Sequence, residues 1–315
     1  MSDEIEMIPV KDIKVKKGMT VDELLKAMGE AGGFTAQKLS DATDIAENMI
    51  RDKDCLKILS FPACIMATGT RGVIVDMVKN HMVDLIITTC GTLDHDLSRS
   101  FAAYYKGDFM MDDAMLRDKY ETSRLGNVLV PDKCYGIVLE DELLPMFEEI
   151  FAETDSLTTH EIIDAVGARL DDEDSLLYQC HKNKVPVVVP GIVDGSFGCQ
   201  LWMYYQTHRK LRLDLFADEQ MLSEMTNDAK KTGAIIVGGG ISKHHVIWWN
   251  QFRGGLDYCI YLTTAMEYDG SLSGARIREA VSWGKVRNDA KKMTVEGDAT
   301  ISLPMIYAGL TNRLL

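Results

Sequence analysis

Nowhere does the chain approach the roughly 20 consecutive apolar residues needed to cross a bilayer, and its longest apolar stretches are strand-sized. Its start, MSDEIEMIPV, is acidic where a secretion signal would be basic and then apolar. A cytoplasmic protein, not a membrane protein, is expected. Cationic charge is also scarce: 34 Lys and Arg against 48 Asp and Glu leave a formal net charge of −14. A field of that sign repels phosphate backbones, so nucleic acid is not an expected partner. It favours cationic partners such as polyamines or a basic protein patch, and it equally serves solubility alone. The seven cysteines include no C-x-x-C pair, which points to reduced, mostly buried thiols and away from a disulfide framework or zinc site. Neither a G-x-G-x-x-G after a strand nor a P-loop sequence is present, and no internal repeat or composition break divides the chain.

What is present is enough for a full-sized core: 315 residues, 46% hydrophobic and 26% charged. Residues 1–55 read as a helical arm, with one helix from Val21 to Met28 ending at Gly29. A second carries Leu39, Ala42, Ile45, Ala46, Met49 and Ile50 on one face. Residues 56–315 then alternate short β-branched runs with helix-length stretches. The expected strands are Ile58 to Met66, Val83 to Thr88, Val187 to Val189, Ala234 to Val237 and Tyr258 to Leu262. That alternation predicts an open, mostly parallel, Rossmann-like α/β sheet with helices on both faces, in one domain overall.

The expected strand ends carry small and polar residues: Thr89-Cys90-Gly91-Thr92, Asp194-Gly195-Ser196, Gly238-Gly239-Gly240 and Thr264-Ala265. In such sheets ligands sit outside the carboxyl ends of the strands, so a nucleotide site built from several loops is predicted there. A glycine triplet can also be a packing turn. Glu279 and Trp283 lie four apart on one helical face, with Lys285 just beyond Gly284. A carboxylate, an indole and a lysine would then line one pocket, with the glycine admitting something close. A lysine so placed, if desolvated, can attack a carbonyl or imine carbon; the plain alternative is a solvated lysine on an amphipathic helix. Lys243-His244-His245 follows the glycine triplet, and at most one of the two histidines faces a pocket, as an acid, a base or a packing residue. Asp94-His95-Asp96 looks like a metal cluster but lacks a second histidine at ligand spacing, so no metal is expected.

Taken together, EYDGSLSGARIREAVSWGK, GGGISKHH, DGSFG and TTCGTLDHDL resemble the deoxyhypusine synthases, the archaeal type in particular, over nearly the whole chain including AGGFTA in the arm. The resemblance implies an NAD-dependent transfer of the 4-aminobutyl group of spermidine to a lysine of translation initiation factor 5A, through an imine on an active-site lysine. By the same resemblance Lys285 is the nucleophile, and His244 and Glu279 meet the amine while Trp283 packs on its chain. Asp94, Gly270 and Ser271 join the substrate site. Thr89, Cys90, Gly91, Asp194, Gly239, Thr264, Ala265, Asp298 and Ala299 stand at NAD-contacting positions. A homotetramer with sites between paired subunits is implied, the arm covering the entrance. The chain departs from the eukaryotic pattern where His95, Cys199 and Leu272 replace acids, which leaves the amine donor open among spermidine, homospermidine and agmatine. Two alternatives remain: aminobutyl transfer to a small amine, as in homospermidine synthesis, and a catalytically silent NAD-binding subunit.

Overall fold

The computed structural model describes residues 7–315; residues 1–6 of the expected arm lie outside the described residues. Six parallel strands form the central sheet: β1 (Cys55–Ser60), β2 (Leu85–Ile87), β3 (Val187–Val188), β4 (Lys231–Val237), β5 (Leu256–Thr263) and β6 (Val286–Glu296). Their spatial order is 3-2-1-4-5-6, so the direction of strand addition reverses at β1 and leaves a crevice there, at the carboxyl ends. The inner strands are buried on both faces, which is why they read as near-continuous apolar runs: Ala234, Ile235 and Ile236 on β4, and Cys259, Ile260, Tyr261 and Leu262 on β5, are all 0–1% exposed.

Three expectations are corrected. The run from Ile58 to Met66 is not one strand: β1 stops at Ser60, and Ala63–Ala67 form a 3-10 turn beyond Pro62, because proline lacks the N–H that would continue the ladder. The first helix does not end at Gly29 but runs Val21–Ala31, opened by a Thr20/Glu23 capping box and closed at Gly32 with φ +73°. Gly29 lies inside it because a Cβ there would stand 2.5 Å from Ser40 Oγ on the second helix, Phe34–Arg51. The third correction is β6, which sequence periodicity missed. Its burial is mixed, and its register against β5 slips between Leu256 and Tyr258, so the two-residue alternation is broken.

The arm helices are packed into the body. Leu25, Leu39, Ala42, Ala46 and Met49 share one core with Leu303, Ile306 and Leu310 of the C-terminal helix Ala299–Leu314. Arg313 there is paired with Asp22, Asp44 and Glu47. A small antiparallel sheet (Tyr105–Lys106, Thr122–Leu125, Val128–Pro131) projects beside the crevice. Among the described residues no helix is long and apolar enough to cross a membrane.

Candidate active site

A cavity of about 490 Å³ opens at the carboxyl ends of β1, β4, β5 and β6. It brings together Thr264, Ala265, Asp298 and Ala299 with Gly238, Cys64 and the turn Gly126-Asn127. The loops are held by their own side chains: Thr263 Oγ1 donates to Ser273 O (3.0 Å) and accepts from Ala265 N (3.1 Å). Asp298 caps the C-terminal helix through Oδ1, which accepts from Thr300 N at 2.8 Å, and leaves Oδ2 for a ligand. Gly239 is crowded rather than open: a Cβ there would stand 2.3 Å from Ser273 Cα. The glycine therefore lets the loop after β4 and the loop after β5 close on each other.

Thr89, Cys90, Gly91 and Asp194 lie across β1, at the ends of β2 and β3, and are not in the lining of this cavity. Thr89 Oγ1 accepts from Ala63 N (3.1 Å), tying the two halves together. The Cys90 side chain faces inward, fully buried under Gly195, and burial pushes its pKa up to about 12. Only its backbone can meet a ligand. Asp194 is exposed beside it.

Asp94, expected to join the substrate site, has its carboxylate taken up by groups of its own chain. It is fully buried and accepts from Tyr135 OH (2.7 Å), Ser196 N (2.9 Å) and Phe197 N (2.7 Å). Its task is to anchor the first turn of the helix Ser196–Thr207. Burial raises its pKa against those three donors. The two neighbours go elsewhere, so the triplet is no metal cluster: Asp96 pairs with Arg71 (2.7 Å) and accepts from Ser175 Oγ, while His95 Nδ1 meets Tyr104 OH at 2.9 Å. Burial first, then the Arg99 cation, lowers the His95 pKa to about 4, so the ring is neutral. Beside it a second cavity of about 650 Å³ reaches Tyr135, Glu140 and Gln200. Gln200 Oε1 is buried there without a partner.

The reactive segment folds differently from expectation. The helix Ile277–Ser282 ends at Trp283, and Gly284, at φ +69°, is the turn that closes it. Gly284 N donates to Val281 O (3.0 Å) and Lys285 N to Ala280 O (2.9 Å), the paired bonds of a Schellman motif. The glycine within AVSWGK thus stops the helix and turns Lys285 toward β6. Lys285 Nζ stands 5.4 Å from the Trp283 ring. Trp283 is 61% exposed, and Glu279, Gly270 and Ser271 are also exposed. His244, outward-facing on the helix Ile241–Gln251, stacks on Trp248. Its pKa is lowered by partial burial and then by the Lys285 charge, which favours a neutral imidazole able to take a proton. His245 is buried against Glu219 and Trp249.

Lys285 and the first cavity lie at opposite ends of the same strands. Leu256 N, at the start of β5, donates to Lys285 O (3.1 Å), whereas Thr263 and Thr264 at the far end line the cavity. Eight residues of strand separate them by about 23 Å at 3.3 Å per residue, farther than a lysine side chain reaches. Lys285 is therefore not part of this cavity within its own chain.

Two groups were not foreseen. The Gly126-Asn127 turn joins Leu125 to Val128, which pair directly; a Gly-Asn pair between two short apolar runs is a hairpin signal that was there to use. Lys243 is 1% exposed, donates to Leu272 O (2.7 Å) and Ala275 O (2.9 Å), and sits 4.0 Å over the Tyr261 ring. Burial lowers its pKa to about 8. It fixes the GSLSG loop from beneath, and no sequence pattern distinguishes it from a solvated lysine.

A deoxyhypusine synthase family model matches residues 23–310. A probable deoxyhypusine synthase of Picrophilus torridus is 51% identical over 300 residues, covering 95% of this chain and 96% of its own. One from Thermoplasma acidophilum is 49% identical over the same shares. Among solved structures, an Entamoeba histolytica chain assigned to the deoxyhypusine synthases superposes over 96% of both chains with a TM-score of 0.67 at 20% identity. A complex of AgrE with ornithine and NAD+ covers 90% of this chain and 34% of its own, with a TM-score of 0.55 at 12% identity. These two likenesses concern the fold.

Proposed function

The chain belongs to the deoxyhypusine synthase family, enzymes that carry the 4-aminobutyl group of spermidine to a lysine of translation initiation factor 5A with NAD, and from that we propose how its own residues divide the work. NAD would occupy the 490 Å³ crevice, beside Gly238 and the Ala265 backbone, where Asp298 Oδ2 would accept from a ribose hydroxyl, and Gly239 would keep the loops after β4 and β5 closed around it. When bound, it would supply a reversible hydride acceptor for the carbon beside the secondary amine. Lys285 attacks the oxidised carbon, releasing the diamine and holding the four-carbon unit as an imine until the acceptor lysine displaces it. His244 takes the proton that Lys285 must lose, and Glu279 steadies the cationic carbon. Trp283 covers the aliphatic chain and keeps water from the imine.

The observation that carries this division is the strand-length gap between Lys285 and the crevice. A lysine that cannot reach the crevice of its own chain serves that of a second copy, and the exposed Trp283 is then covered by that copy. The 650 Å³ cavity beside His95 receives the far end of the amine, with Glu140 supplying a carboxylate in place of Asp94. The protein substrate is factor 5A, and the location is cytoplasmic. Borohydride trapping with NAD and spermidine tests the nucleophile: an aminobutyl mass on the Lys285 peptide is expected, and equal labelling of Lys285→Arg would refute it. Parallel assays with spermidine, homospermidine and agmatine, read by the mass added to factor 5A, identify the donor.

A further inference from the structure

A cavity of about 970 Å³ lies next to the crevice and shares Thr68, Asn127, Val128 and Thr300 with it. Its charged lining is entirely basic, Arg99 and Lys106 with no carboxylate, in a chain of formal net charge −14. Among the described residues neither cation is neutralised by an ion pair. Arg99 is half-buried and donates only through Nη1, to Met66 O (2.7 Å) and Thr68 O (2.6 Å). Both acceptors are uncharged carbonyls, so the guanidinium is aimed by the turn after β1 while its charge and remaining donors stay available. Lys106 is exposed on the small antiparallel sheet and lines the same cavity. The acids that act on Arg99, Asp96 and Asp172, are committed to Arg71. Thr68, Asn127 and Thr300 add neutral polar groups along the shared rim.

We infer that this cavity is a phosphate-binding site, in which the Arg99 fork and the Lys106 ammonium grip a phosphoryl group at the rim of the crevice. Arginine offers a phosphate two parallel donors and lysine a mobile point charge, a pairing suited to that anion. A phosphate can come from a dinucleotide lying across the shared rim or from a separate anion, and the chemistry of the grip is the same for both.

The test uses the full chain and inorganic pyrophosphate alone, titrated by calorimetry at low salt, so it depends neither on NAD nor on amine transfer. Binding to wild type is expected, with Lys106→Glu weakening it at least about tenfold and Arg99→Gln at least about fivefold. Thermal melting verifies that both variants remain folded, and Lys106, being exposed, keeps the test meaningful if Arg99→Gln unfolds. Repeating the titration with saturating NAD separates the sources: loss of pyrophosphate binding assigns the phosphate to the dinucleotide, and retained binding assigns it to a separate anion. Absence of pyrophosphate binding to wild type, or equal affinity in a folded Lys106→Glu protein, would overturn the inference.

Discussion

The two ends of β5 and β6 are finished to different degrees by their own chain. At the carboxyl end, Thr263 bonds to Ser273, Gly239 packs against Ser273 and Asp298 caps the C-terminal helix, around a formed cavity. At the amino end, Lys285 and Glu279 stand beside an indole left 61% exposed. A crevice that holds a cofactor through many turnovers gains from being preorganised. A lysine that must accept a small amine and then meet a protein gains from being reachable, provided that something excludes water while the imine exists. In the arrangement proposed above, a second copy of the chain would supply that cover and join the two halves.

The largest expected effect falls on the open half. Lys285→Arg keeps the charge but cannot form an imine, so kcat should fall by on the order of 10³ or more, measured as mass transfer to factor 5A. NAD binding should be unchanged by calorimetry. An equal loss of NAD affinity would break the separation of the two regions. Next comes the crevice. Gly239→Val places a branched side chain against Ser273 and should weaken NAD by about a hundredfold, while the Lys285 segment keeps its fold; unchanged affinity would move the cofactor elsewhere.

These two expectations differ in how far the sequence alone carries them. The parallel sheet was legible because strands buried on both faces leave apolar runs that alternate with helices. The small residues after β4 and β5 marked a ligand end of the sheet. Gly284 was visible but ambiguous: a glycine near a helix end can admit a neighbour or terminate the helix, and only the Ala280 and Val281 bonds decide. Asp94 was misjudged because a carboxylate that anchors a helix a hundred residues away has no local signature. The distance between Lys285 and the crevice depends on which way β6 runs, and β6 itself was hidden by its mixed burial.

Asp94 sharpens the comparison from the crevice side. Asp94→Asn weakens the three charge-assisted bonds that the carboxylate accepts and leaves an amide donor facing a donor, and should cost about 2–3 kcal/mol in urea unfolding. The variant's Michaelis constant for the amine should stay near that of wild type; a large rise with unchanged stability would return Asp94 to the substrate.

The smallest effect is a pH dependence at Lys243, which links the helix after β4 to the GSLSG loop. Its folded pKa, about 8, lies below the ordinary 10.5, so the unfolded chain holds that proton more tightly. Stability from this group therefore rises with pH between those values. Denaturant titrations at pH 7.5 and about 9.5 should show wild type gaining on Lys243→Met; a difference that shrinks with pH would mean that the ammonium is favoured in place.

The central claim is that the lysine of one copy works on the crevice of another, and subunit complementation tests it most directly. Lys285→Arg and Gly239→Val are each purified, shown to be inactive alone, then mixed under conditions that exchange subunits. Random pairing in a two-fold dimer makes half the dimers mixed, each with one intact site, so about a quarter of wild-type activity should return. A site contained within one chain predicts no recovery at all, and a mixture that exchanges subunits yet remains inactive would contradict the account.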